Sequence, residues 1–236
     1  MRLKFLIYMK RIIGAILGLV VVINVNAQSN EREVQPDIPG DIMVDIGFNS
    51  FRNHPDFMNI KWFSSRSLSV YYQYTKKISD RFTFNPAIGV SSEKYSFENN
   101  LNFMLNDDRT VSFDTISGVF LRKNKLVVNY IELPLEIRFF PTKTIDGEGF
   151  FIGLGGVAGY RIESHTNIKY DIGGEKAAEK TRSDFGLQNY RLGAQIRVGW
   201  KAISIYSKIY LTDPFNAGPF GANPTTFTVG LNFTGF

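Results

Sequence analysis

The side chains able to move a proton or carry out a hydrolysis are few. The chain has two histidines, His54 and His165, and no cysteine. His54 is followed by Pro55 and Asp56, and His165 directly follows Glu163 and Ser164. A serine and a histidine can act as nucleophile and general base when they come within hydrogen-bond reach. Sequence adjacency does not supply that reach, because neighbouring side chains on an extended chain point to opposite faces. Without cysteine there is no disulfide and no thiolate metal site, and no His or carboxylate cluster has ligand spacing. Gly153, Gly155, Gly156 and Gly159 do not connect a strand to a helix start, as a phosphate-cradling loop would, and read instead as packing positions inside the fold. The residues therefore predict no catalytic centre, no cofactor and no metal.

A second set of side chains has a different spacing. Asp45, Glu132, Glu136, Arg138, Arg161, Arg191, Arg197 and Lys208 each fall on the small or polar face of a segment whose other face is apolar. In residues 129–139 the apolar positions are Ile131, Leu133, Leu135, Ile137 and Phe139, and they alternate with Tyr130, Glu132, Pro134, Glu136 and Arg138. The same period of two runs through 41–49, 67–75, 82–91, 150–162, 190–200, 203–211 and 226–233. Alternation of this kind is strand periodicity.

The segments make eight strands of about 9 to 12 residues. Soluble strands average about 5 to 6, whereas a tilted strand crossing a bilayer needs about 9 to 11. Aromatic residues gather near strand ends, as at Tyr72, Tyr74, Phe82, Phe84, Phe139, Phe140, Phe150, Phe151, Tyr190 and Trp200. Connections alternate between short (76–81, 141–149, 201–202) and long (51–66, 94–125, 163–184, 212–224). Aromatic girdles, short turns at one end and long loops at the other are features of outer-membrane barrels. The expectation is an all-β fold, an eight-stranded antiparallel up-and-down transmembrane β-barrel over 41–236. A soluble exported sandwich or lipocalin-like barrel shares the alternation and is the competing architecture.

The charge balance fits export better than nucleic-acid binding. The 236 residues carry 27 basic and 22 acidic side chains, a formal charge of +5. Arg2, Lys4, Lys10 and Arg11 precede an unbroken apolar run from Ile12 to Ile23, which ends near Val25, Asn26 and Ala27. This is the pattern of a secretory signal peptide over 1–27, with a flexible leader over 28–40. Removing it leaves 23 basic residues against the same 22 acidic ones, so no nucleic-acid partner is expected.

The stretch from Asn129 to Arg138, NYIELPLEIR, is similar to a strand motif of the Bacteroidetes-type outer-membrane β-barrel proteins, including the PorT-like group. Gly149 to Tyr160, Asp184 to Leu187, Leu192 to Ala194 and Val229 to Phe233 resemble later parts of the same pattern. The likeness covers about residues 129–236. It implies assembly into the outer membrane of a Gram-negative bacterium by the barrel assembly machinery, and some members serve type IX secretion. Phe236 is terminal, as the closing aromatic of such barrels is, yet Phe233 is the last aromatic in register with Phe227, Val229 and Leu231.

An eight-stranded barrel is just wide enough inside for its own side chains. The eight inward charges thus read as a salt-bridge network filling the lumen, with a narrow ion path as the other reading. Specificity then falls to the loops. Phe57, Met58, Trp62 and Phe63 are an unusual apolar load for an exposed loop and read either as a plug over the barrel mouth or as a protein-contact patch. In 94–125, Val111, Phe113, Val119 and Phe120 point to a hairpin extending above the membrane. The expected role is structural or interaction-based in the envelope, with outer-membrane lipid and an envelope protein as partners and a PorT-like secretion accessory as its finer form. A lipid-modifying outer-membrane enzyme using His54 or His165 is the alternative.

Overall fold

The computed structural model describes residues 39–55, 58–98, 101–105, 111–115, 120–142, 149–172, 175–216 and 224–235, with the backbone alone at 101–105, 111–115, 120 and 172. The expected signal peptide, most of the leader, Phe57, Val119 and Phe236 lie outside these residues.

A strand with one apolar face must pair both of its backbone edges or leave donors and acceptors unsatisfied. In lipid the only sheet that does so is a closed one. The strands are β1 (Asp41–Arg52), β2 (Arg66–Gln73), β3 (Lys76–Ser79), β4 (Phe82–Ser96), β5 (Leu101–Leu105), β6 (Val111–Thr115), β7 (Phe120–Phe139), β8 (Phe150–Ile172), β9 (Glu175–Arg182), β10 (Tyr190–Trp200), β11 (Ile203–Tyr210) and β12 (Thr225–Thr234). Eight of them close a ring in the order β1, β2, β4, β7, β8, β10, β11, β12, with β12 pairing back to β1. Every pairing in the ring is antiparallel. These eight coincide with the eight period-two segments.

The apolar faces point out. Ile46, Leu68, Ile88, Leu133, Leu135, Leu154, Ile196 and Ile205 are exposed, whereas Asp45 and Glu132 on the opposite faces are wholly buried. This is the inverse of a soluble barrel and excludes the lipocalin-like alternative. Tight connections and both ends of the described barrel lie at one end, near Lys201 and Ala202, Thr234 and Asp41. Exposed aromatics ring that end at Tyr72, Tyr74, Phe82, Phe150 and Trp200, and the other edge of the apolar belt at Tyr160, Tyr190 and Trp62.

Two of the four expected long loops differ from expectation. Residues 163–172 continue β8, which runs 23 residues, and 175–182 form β9 paired to it. Residues 120–128 likewise continue β7, and the hairpin foreseen within 94–125 is β5 paired with β6. The alternation that marked the membrane strands fades there because these extensions do not meet the hydrocarbon of the bilayer. Their outward positions are Lys123, Lys125, Asn167 and Lys169 rather than Leu and Ile.

A register shift marks the change of regime. Asn129 pairs with Glu163 and the next residue, Tyr130, pairs with Arg161, so Ile162 is an extra residue in β8. Such a bulge reverses which face the bulged strand presents. Below it the inward residues of β8 are odd-numbered, such as Phe151 and Val157, and above it they are even-numbered, such as Ser164, Thr166 and Ile168.

Candidate functional site: the filled lumen

Because inward positions are every second residue on strands tilted around a small ring, charges from distant segments meet at the barrel axis. Three clusters stack along it. Nearest the short turns, Arg138 on β7 donates from Nε to Glu136 Oε1 at 2.6 Å and from Nη2 to Gln73 Oε1 at 2.8 Å. Its guanidinium carbon also lies 4.6 Å from the Phe151 ring centroid.

In the middle, Arg197 on β10 bridges Glu136 and Asp45, with Nε to Glu136 Oε2 at 3.0 Å and Nη1 to Asp45 Oδ1 at 3.2 Å. Gln195 donates to Glu136 at 2.9 Å and Asn232 to Asp45 at 2.7 Å. Lys208 on β11 places Nζ 3.0 Å from Asp45 Oδ2 and donates to the Tyr71 hydroxyl at 2.8 Å.

In the upper cluster, Glu132 accepts from the hydroxyls of Tyr71 and Tyr210 and from Arg191 Nη2, the last at 2.5 Å. Arg191 also forks onto Glu93, at 2.8 and 2.9 Å. Its guanidinium is sandwiched between the rings of Tyr130 and Tyr210, at 3.4 and 3.8 Å from their centroids. A planar, bidentate cation stacked on aromatic faces is the use for which arginine is better suited than lysine.

Neighbouring glycines make room for these groups. A Cβ on Gly153 would sit 2.8 Å from the Glu136 carboxyl carbon, and one on Gly47 would sit 2.5 Å from the Tyr206 hydroxyl. The period-two pattern placed Gly153, Gly155 and Gly159 on the inner face, but Gly156 lies on the outer one, where it is exposed.

Seven of the eight charges named from sequence meet in this network. The eighth, Arg161, does not. It lies at the upper rim and donates to the carbonyls of Gln188 and Leu187, to Ser164 Oγ at 3.1 Å and to Asn189 Oδ1 at 2.6 Å, tying down the segment between β9 and β10. Glu93 takes its place in the balance. Among the described residues the buried set is then Asp45, Glu93, Glu132 and Glu136 against Arg138, Arg191, Arg197 and Lys208, none more than 8% exposed. Four acids facing four bases is a neutral interior, as burial of unpaired ions would be prohibitive.

Glu93 lies two residues beyond the alternating segment 82–91, on the part of β4 that runs on to Ser96, and the same alternation extended by two residues reaches it. The tyrosine hydroxyls were equally visible. Tyr71, Tyr130, Tyr206 and Tyr210 all fell on the polar faces.

Above the network the lumen turns apolar. Phe51, Met58, Tyr95, Phe97, Leu126, Val128, Tyr130, Phe185, Leu187 and Phe215 form one buried cluster. Met58 is thus part of an internal plug. Trp62 and Phe63 leave the mouth instead and pack on the outer wall, with Phe48 centroids 4.9 and 6.0 Å away. The group expected to act together is therefore divided.

Among the described residues neither histidine meets a nucleophile. His54 Nδ1 is 3.0 Å from the Pro55 carbonyl oxygen. His165 faces outward with Nδ1 3.0 Å from Glu163 Oε1, while Ser164 faces inward and donates to the Ser183 carbonyl at 2.6 Å.

Residues 26–217 match the model of a family described as outer membrane protein beta-barrel domain. Among solved structures the chain is similar to neisserial surface protein A, with 11% identity over 83% of this chain and 95% of that one at a TM-score of 0.42. It is also similar to the attachment invasion locus protein Ail of Yersinia pestis, with 13% identity, 84% and 99% coverage and a TM-score of 0.36. The N-terminal β-barrel domain of Pseudomonas aeruginosa OprF gives 10%, 83% and 98%, and 0.31. A comparison with curated proteins gave no significant match.

Proposed function

Given that the chain belongs to the outer-membrane protein β-barrel domain family, and so resides in the outer membrane, we propose that it is a closed barrel with a structural or protein-interaction role. The observation that carries this reading is the lumen. Asp45 and Glu132 have no exposed surface and Arg197 has 1%, so the centre of the barrel is filled by paired side chains. A lumen of this kind leaves the outer rim and extensions as the surfaces that can recognise anything.

The test is conductance in planar bilayers. The purified barrel gives no unitary current, and Glu136→Leu lowers stability without opening a current. Resolved conductance steps in the wild type would replace the scaffold reading with that of a narrow channel.

Residues 1–27 act as the export signal in this scheme, and N-terminal sequencing of the membrane-extracted protein finds Gln28 first. The barrel assembly machinery inserts the chain. The resemblance of Asn129 to Arg138 to PorT-like strands supports a secretion-system accessory as the finer form of the role, with an envelope protein as partner. Deletion of the chain then reduces secretion of type IX cargo, and unchanged secretion removes this finer assignment. The opposed directions of Ser164 and His165 support a non-enzymatic role. His165→Ala and His54→Ala leave lipid A composition unchanged, and a change in either would revive the enzyme.

A further inference from the structure

Directly above the apolar belt, the outer wall of the barrel carries a band of cations that make no ion pair among the described residues. The registers define it. Val127 pairs with Lys94 on one side and His165 on the other, Lys125 pairs with Ser96 and Asn167, and Lys123 pairs with Lys169. Lys180 follows on β9, opposite Asn167. Lys123, Lys125 and Lys169 occupy outward positions, since the alternating residues Asn124, Leu126 and Ile168 are buried inside. Lys94 is outward for the same reason, between the buried Glu93 and Tyr95.

Among the described residues no carboxylate lies within ion-pair distance of Lys94, Lys123, Lys125 or Lys169. Two acids on β8 are already engaged, Asp171 with Arg122 at 2.7 Å and Glu163 with His165 and Arg182 at 3.0 and 3.2 Å. The Lys125 ammonium is held below the ordinary lysine value, first by burial and then by Lys94, Lys123 and Lys169, with Lys94 in hydrogen-bonding reach. Four like charges gather on one wall, and among the described residues no carboxylate balances them, so the wall suits an anionic partner.

Their height fixes what completes them. At about 3.3 Å per residue along the strand, Lys94 and Lys125 lie roughly 7 and 13 Å past Asn129, which at a strand tilt of about 40° is a height of roughly 5 and 10 Å. That is the level of the outer-leaflet headgroups, on the wall that faces lipid rather than at the loop tips.

We propose that Lys94, Lys123, Lys125 and Lys169 form a binding site for the phosphate groups of an outer-leaflet glycolipid of the lipid A type. Ammonium groups on flexible stems suit phosphate oxygens as point charges. The inference rests on the outer-membrane reading with the long connections outside.

The test titrates bisphosphorylated lipid A into the folded full-length protein in neutral detergent, with bound lipid counted by native mass spectrometry. A heat-mobility gel on the same samples reports whether the barrel is folded, so failure of the barrel reading shows separately. Each cation near an anionic lipid surface strengthens binding about fivefold. Lys94→Gln with Lys125→Gln should therefore weaken lipid A about 25-fold. Lys76→Gln, on β3 at the opposite end, leaves it unchanged, and lipid A stripped of its phosphates binds wild type more weakly than the double variant binds the intact lipid, because the double variant keeps Lys123 and Lys169. Equal retention by wild type and double variant overturns the proposal. So does wild-type binding that inorganic phosphate matches at equal concentration, because the site would then recognise a free anion rather than a lipid.

Discussion

The membrane half of the barrel and the half beyond it obey opposite rules. Between residues 131 and 139 on β7 the outward side chains are Ile131, Leu133, Leu135 and Ile137, and the inward ones are Glu132, Glu136 and Arg138. Between 123 and 128 the outward ones are Lys123, Lys125 and Val127, and the inward ones are Asn124, Leu126 and Val128. One continuous strand thus has an apolar outside in lipid and an apolar inside in water. The chain's preference is constant, which is to keep apolar groups out of water and pair every buried charge. The surroundings decide which face satisfies it. The extra residue Ile162 in β8 lies where the two regimes meet.

The comparison breaks most severely in the lower half. Glu132→Leu strands Arg191 and Lys208 without their shared carboxylate, and loss of one partner in a buried network costs about 3–5 kcal/mol. Urea unfolding of the barrel in detergent micelles measures it. In the upper half the damaging change is a cavity. Leu126→Ala costs about 2–5 kcal/mol, read in hydrogen exchange as faster opening of 120–128 and 163–172 while the membrane strands stay protected.

Swapping polarity on the outward face sharpens the contrast. Leu133→Arg puts a charge into the lipid belt and costs about 2–4 kcal/mol, whereas Lys123→Leu, ten residues along the same face, changes unfolding by less than about 0.5 kcal/mol. The smallest effect is electrostatic. Because the Lys125 value is lowered in the folded protein, the unfolded chain binds its proton more tightly, and stability rises with pH as the folded group loses its proton. Without lipid A, Lys125→Gln is therefore slightly more stable than wild type at neutral pH. The difference closes as pH climbs toward 10.5, the ordinary value.

The lower half was legible because lipid imposes a strict pattern. Alternation identified all eight ring strands and seven of the eight network charges. The upper half was not, because water outside accepts Lys, Asn and Thr at positions where lipid demands Leu or Ile, so 163–172 and 175–182 read as loop. Arg161 was misplaced for a related reason. Its parity is inward, but it stands at the last inward position before the bulge, where Leu187, Gln188 and Asn189 reach it from above. Trp62 and Phe63 show the limit of composition. Their types marked them as buried or binding, yet only the turn at Trp62–Ser64 decides that they lie against Phe48.

The most direct test of the inversion uses the absence of native cysteine, which makes single-cysteine scanning along β7 free of background. Positions 131, 133, 135 and 137, carrying a fluorophore, are quenched by brominated lipid. Positions 123 and 125 react with a water-soluble maleimide and are not quenched. Positions 126 and 128 are protected from the maleimide in the folded barrel. If 123 and 125 are quenched as strongly as 131 and 133, or if 126 and 128 react as fast as 123 and 125, the strand does not change its inside for its outside and the account fails.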